Sequence, residues 1–209
     1  MSKKLIFMHG CMSSGKSLRL LSNAYNLEDN GIQIMTLKPS LDTRDGEDVI
    51  HSRAGIERKC ITFGNDVDLY KAIKSYKNVL SSQFETLKWV IIDEAQFLTE
   101  EQVNQLSDVV DFLDINVMCF GLKTDFQSKL FEGSKRLMEL ADHVEEVKST
   151  CECGERKASI NARFDENGDI VTNGPQVMIG GNNVYKPLCR KCWKEKIRKK
   201  LIEFNDCNG

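Results

Sequence analysis

Eight consecutive residues near the N-terminus, Gly10-Cys11-Met12-Ser13-Ser14-Gly15-Lys16-Ser17, have the spacing G-x-x-x-x-G-K-[ST]. Glycines let backbone N–H groups turn inward around an anion, the lysine brings a positive charge, and the terminal hydroxyl can face a divalent cation. This is the chemistry of a loop that cradles the phosphates of a nucleotide such as ATP, with Mg²⁺ reached through Ser17. Further along, Trp89-Val90-Ile91-Ile92 runs into Asp93-Glu94, an apolar stretch delivering two carboxylates to its end. Asp93 suits the metal side and Glu94 suits a general base facing an acceptor. An Asp-Glu pair can also begin a turn, and it is the phosphate loop that tips the reading toward chemistry. Arg44 and Arg53 fall in a polar stretch over residues 41–55. Their guanidinium groups either fold over phosphate and neutralise its oxygens or sit on a solvated loop.

A second constellation is Cys151-x-Cys153 with Cys189-x-x-Cys192. Two pairs supply the four thiolates of a closed tetrahedral zinc site, the second at standard spacing and the first one residue tighter. A redox pair is the competing reading, but two pairs flanking one small region favour structural metal. Cys11, Cys60, Cys119 and Cys207 are scattered, which suits free thiols better than a disulfide framework. His9, His51 and His143 show no partner pattern, and the methionines read as core filler.

These residues need elements to hold them. A strand over 4–8 and a helix over 16–27 flank the phosphate loop as its chemistry requires. Further strands over 32–37, 60–63, 88–93 and 116–121 alternate with helices over 67–80 and 100–112, which implies βαβ units and a largely parallel sheet. Asn65-Asp66 marks the start of the first of those helices, and Thr99-Glu100-Glu101-Gln102 has the capping-box pattern at the start of the second. Residues 41–55 lack an apolar period and read as a mobile loop. After residue 147 come the cysteine pairs, short alternating strands, glycines at 154, 168, 174, 180 and 181, and a basic helix over 193–204. The expected fold class is therefore α/β: a P-loop (RecA-like) mainly parallel sheet with helices on both faces over 1–147, and a small zinc-ribbon-like β domain over 148–209.

Twenty-nine Lys and Arg against thirty-one Asp and Glu leave a net charge of −2, which supplies no field for nucleic acid and favours a small ligand. The longest apolar runs fall far short of the roughly 20 residues of a bilayer crossing. The N-terminus lacks an apolar region of signal-peptide length. The expectation is a cytoplasmic protein with neither membrane nor nucleic acid as partner.

Taken together, the phosphate loop, Asp93-Glu94-Ala95-Gln96-Phe97, Gly121-Leu122-Lys123-Thr124-Asp125-Phe126, residues 177–181 with Tyr185, and the paired cysteines resemble the type II thymidine kinase family over nearly the whole chain. The resemblance implies a P-loop domain joined to a zinc-bearing domain whose looped segment closes over the nucleoside, with thymidine and ATP as substrates and assembly as a homotetramer. It implies that Glu94 takes the proton of the nucleoside 5′-hydroxyl and that Asp93 serves the metal side. It places Asp42, Thr43 and Arg44, and Asp93, Glu94, Ala95 and Gln96, on the nucleotide side. Phe126 matches the residue that stacks on the base, while Gln176, Val177, Met178, Ile179, Gly180 and Tyr185 match the segment contacting base and sugar. Cys11 and Ser13 depart from the usual proline and aromatic residue, and Asn161 stands where members often carry a small residue near the thymine methyl. Two other readings stay open. Asp93-Glu94-Ala95 also looks like a helicase box, as in a nucleic-acid-dependent ATPase, although length and charge argue against that; a zinc-stabilised nucleotide switch is the third.

Overall fold

The computed structural model describes residues 2–42, 48–177 and 184–207, with side chains up to 202. Strand β1 (Leu5–His9) leads into the phosphate loop and α1 (Lys16–Asp29) leaves it. There follow β2 (Gln33–Pro39), β3 (Val49–His51), β4 (Glu57–Lys59), β5 (Ile61–Phe63), α2 (Leu69–Ser82) and β6 (Leu87–Ile92). A single 3-10 turn at Ala95–Phe97 precedes α3 (Glu100–Leu113), β7 (Asn116–Gly121), α4 (Glu132–Leu140) and β8 (His143–Glu146). The remainder contains β9 (Ile160–Phe164), β10 (Ile170–Val171), β11 (Val184–Leu188) and α5 (Arg190–Cys207).

Six strands form one sheet in the order β5-β2-β6-β7-β1-β8, and every neighbouring pair is parallel. Its central strands read as near-continuous apolar runs because both faces are covered. Leu5, Phe7, Val90, Ile92, Val117 and Cys119 pack on one side with residues of α2, α3 and α4, such as Ile73, Leu106 and Leu137. Their alternates Ile6, Met8, Trp89, Ile91, Met118 and Phe120 pack on the other with Leu20, Leu21 and Ala24 of α1. The period-two alternation of a strand thus sends each side chain to one of two helical layers. Helices on both faces of a parallel sheet are the arrangement expected from the order of elements.

The expectation of an unstructured segment over 41–55 is corrected in part. Val49–His51 is β3, antiparallel to β4 with Ile50 opposite Arg58. Ile50 is buried against the α1 layer, so a single apolar residue anchors the hairpin and no period could announce it. Arg58 holds the hairpin down from the other strand: its Nε donates to Thr36 and its two terminal nitrogens grip the Glu28 carboxylate at 2.6 Å each. The start of α2 also shifts, because Asp68, not Asn65 or Asp66, accepts from the Lys71 N–H. The capping box at Thr99 and Gln102 is present as expected. Helix α4 and edge strand β8 were not expected. In α4, Gly133 and Ser134 occupy the buried face, and a Cβ on Gly133 would lie 2.5 Å from the Leu98 carbonyl oxygen, so close packing overrides poor helix propensity.

Beyond β8 the chain builds a separate antiparallel sheet in the order β10-β9-β11. Its core is Ala162, Phe164, Ile170 and Leu188 together with Cys151 and Cys189, flanked by Trp193 and Ile197 of α5.

Candidate functional site

The phosphate loop is shaped by its glycines. A Cβ on Gly10 would lie 2.4 Å from the Val147 carbonyl oxygen and 2.6 Å from Ser14 Oγ, and Gly15 has φ +85°. Both are positions that a side chain would strain. Lys16, only 8% exposed, folds across the loop so that its Nζ donates to the Cys11 carbonyl at 2.9 Å. Ser14 Oγ is buried with no hydrogen-bond partner among the described residues, an available donor inside the loop.

Strand β6 carries Asp93 to the edge of the loop, where its Oδ1 accepts the Glu94 N–H at 3.0 Å. Burial first, then the neighbouring Glu94 charge, push the Asp93 carboxyl well above the usual carboxylate range, while Lys16 and Ser17 pull it down. A carboxylate buried beside another carboxylate is stabilised by any cation brought next to it, so Ser17 and Asp93 fit a divalent ion. Glu94 adopts the left-handed conformation with φ 51°, which turns its side chain out of the strand direction. It lines a cleft of about 530 Å³ together with Met12, Lys16, Ser17 and Arg53, a volume suited to a nucleotide-sized ligand. Ala95 and Gln96 are buried behind it.

Arg53 reaches the cleft from the turn of the β3–β4 hairpin, as a cation folding over phosphate would. His51 and Ser52 line the same cleft, and no sequence signal pointed to them. Asp42 is turned inward instead: its carboxylate pairs with Lys38 at 3.6 Å, and Lys38 Nζ also donates to the Val49 carbonyl. A lysine within an otherwise buried strand was the available signal for that anchor of the hairpin. Thr43 and Arg44, and Met178, Ile179 and Gly180, lie outside the described residues.

Of the residues matched to nucleoside contacts, the described ones, Phe126, Gln176, Val177 and Tyr185, do not line this cleft. Phe126 is buried, and the guanidinium carbon of Arg163 lies 3.7 Å from its ring centroid. Arg163 also donates to the carbonyls of Asn173 and Pro175 and stands opposite Tyr185 across β9 and β11. Gln176 donates to Asp125 at 2.9 Å, so the segment preceding Val177 is tied to the turn that carries Phe126. Asn161 joins this region to the phosphate loop: its Oδ1 accepts the Met12 N–H at 2.7 Å and its Nδ2 donates to the Thr124 carbonyl. Arg163 and Asn161 are charged and polar residues in a wholly buried strand, a signal that sequence reading passed over in one case and assigned only to base selectivity in the other.

The four cysteines come together. Every pair of Sγ atoms among Cys151, Cys153, Cys189 and Cys192 lies within 4.8 Å, and none is in a disulfide. Four sulfurs bound to one zinc at its usual bond length would be about 3.8 Å apart, so a small contraction closes the site. The Cys192 N–H, aimed at the Cys189 sulfur at 3.5 Å, lowers the Cys189 thiol, whereas the surrounding thiols push Cys192 up. Sulfurs that oppose one another's ionisation are a donor set that a cation would stabilise. The cluster can hold a metal ion.

The family model described as thymidine kinase matches residues 3–193. A thymidine kinase of Mannheimia succiniciproducens is 45% identical over 196 residues, covering 94% of this chain and 97% of its own. One from Rhodopirellula baltica is 43% identical over 194 residues, with 93% and 89% covered. Another, from Streptococcus pyogenes, is 43% identical over 189 residues, with 90% and 95% covered.

Proposed function

Because the chain belongs to the thymidine kinase family, we propose that it transfers the γ-phosphoryl group of ATP to the 5′-hydroxyl of thymidine, giving thymidine monophosphate and ADP. The observation that carries the reading is that Lys16, Ser17, Arg53 and Glu94 line the same cleft. Lys16 and the backbone N–H groups of the phosphate loop bind the triphosphate. Arg53 adds charge where negative charge spreads onto the transferring oxygens. Ser17 and Asp93 are the residues that would hold Mg²⁺, which when bound neutralises the outer phosphates. Glu94 accepts the hydroxyl proton as the nucleoside oxygen bonds to the γ-phosphorus and the bond to the ADP oxygen breaks. With a loose transition state, positioning and neutralisation supply most of the acceleration.

The acceptor side of the reading is Phe126 stacked on the base, with residues 176–180 and Tyr185 around base and sugar. Cys151, Cys153, Cys189 and Cys192 would hold a structural zinc ion. The remaining features of the proposal are an organisation into domains over 1–147 and 148–209, a homotetramer, and residence in the cytoplasm, in keeping with the free thiols. No helix among the described residues is long and apolar enough to cross a membrane.

Initial rates of ATP consumption with thymidine, with deoxycytidine and with single-stranded DNA test the proposal directly. Thymidine-dependent ADP release matched by monophosphate formation is expected. Stimulation by DNA without nucleoside phosphorylation would replace it with an ATPase.

A further inference from the structure

Behind Glu94 lies a buried amide that this mechanism leaves unused. Gln96 is 2% exposed. Its Oε1 accepts the Leu122 N–H at 2.9 Å, and its Nε2 donates to Glu94 Oε2. A backbone N–H only donates, so the amide oxygen must face Leu122 and the NH₂ must face the carboxylate. Space for this arrangement is provided by Gly121, where a Cβ would fall 2.7 Å from Gln96 Oε1 and 2.9 Å from its backbone nitrogen. The carboxylate it grips sits on a residue with φ 51°, a backbone state that a non-glycine residue keeps only when its surroundings hold it there.

We propose that Gln96 is a positioning residue for the general base. By donating to Oε2 it fixes the rotation of the Glu94 carboxylate, so that Oε1 is the oxygen presented to the acceptor hydroxyl. Through Leu122, which also lines the cleft, it ties that orientation to the end of β7. This inference rests on the proposed role of Glu94 as base. It differs from a place for Gln96 on the ATP side, since a residue that contacts ATP sets the affinity for ATP, whereas one that aims the base sets turnover.

Gln96→Glu tests it, because the variant keeps an acceptor for the Leu122 N–H and sets a second carboxylate oxygen against Glu94. We expect kcat to fall by about 10- to 100-fold, the size seen when an orienting partner is lost, with both KM values within about twofold of wild type. In a Glu94→Gln background, Gln96→Glu should cause no further loss of kcat, since a residue acting through Glu94 has nothing left to orient. Unchanged kcat, a rise confined to the KM for ATP, or full additivity in the double variant would each overturn the inference while leaving Glu94 as base. Near-normal turnover of Glu94→Gln alone would instead remove the reading beneath it. If Gln96→Glu does not bind an ATP analogue and melt cooperatively, Gln96→Met, of similar length with no donor, carries the same kinetic test.

Discussion

The six-stranded sheet and the three-stranded sheet each hold one side of the proposed site in place, and they do so with different physical means. The phosphate loop leaves a strand whose Phe7 and Met8 are packed between helical layers on opposite faces. Apolar burial is enough to keep it there. The small sheet has Ala162, Phe164, Ile170 and Leu188 for a core, and two of its other buried members are cysteines. That is too little apolar surface for independent stability, and a metal cluster is the usual supplement. The contrast suggests that the proposed donor side is prebuilt while the proposed acceptor side takes its order from the four thiolates.

The largest effect should come from removing the proposed zinc ion. A structural zinc site is worth an apparent ~10–16 kcal/mol in small domains, so chelation or Cys189→Ser should abolish thymidine phosphorylation. Hydrogen exchange should then show protection lost in β9 and β11 but kept in β6 and β7, with ATP-analogue binding preserved. Loss of protection throughout both sheets would mean that the two regions stand or fall together. Next in size, Glu94→Gln should lower kcat by about 10²–10⁴-fold with little change in either KM, the range for a general base. This separates the chemistry from both scaffolds.

Asn161 joins the two regions, so its loss probes the link itself. Asn161→Ala leaves the Met12 N–H without its partner, a cost of about 1–3 kcal/mol for a buried donor. Steady-state titration of each substrate should show both KM values rising, by about tenfold, and a change in only one would show that the regions are not coupled there. The smallest effect is expected at Thr99, whose side chain caps α3 by accepting from Gln102 and touches neither site. Thr99→Ala should cost about 1 kcal/mol and lower the calorimetric Tm by roughly 2–4 °C, with kcat unchanged.

Features that depend on neighbours in the chain were legible without coordinates. The glycines, lysine and serine of the phosphate loop fall within eight consecutive positions, the β6 run points straight at Asp93 and Glu94, and the capping box at Thr99 spans a single turn. Near-continuous apolar runs likewise announced the parallel strands, because each face of a buried strand must be apolar. The hairpin escaped because one buried isoleucine and a bidentate arginine hold it, and neither makes a pattern.

What the sequence by itself determined is therefore the phosphate-loop pattern proposed as the donor side, the order of strands and helices that presents it, and the four cysteines of a cluster that can hold a metal ion. Only the tertiary structure decided the rest. It joined Lys38 to the Val49 carbonyl, stacked Arg163 on Phe126, joined Asn161 to Met12 across 149 residues, and aimed the amide of Gln96 between Glu94 and a backbone N–H 26 residues away. The physical reason is that each of these is a single directional contact between distant segments. Residue type shows that a polar group will need a partner when buried, but the path of the chain determines which partner it meets.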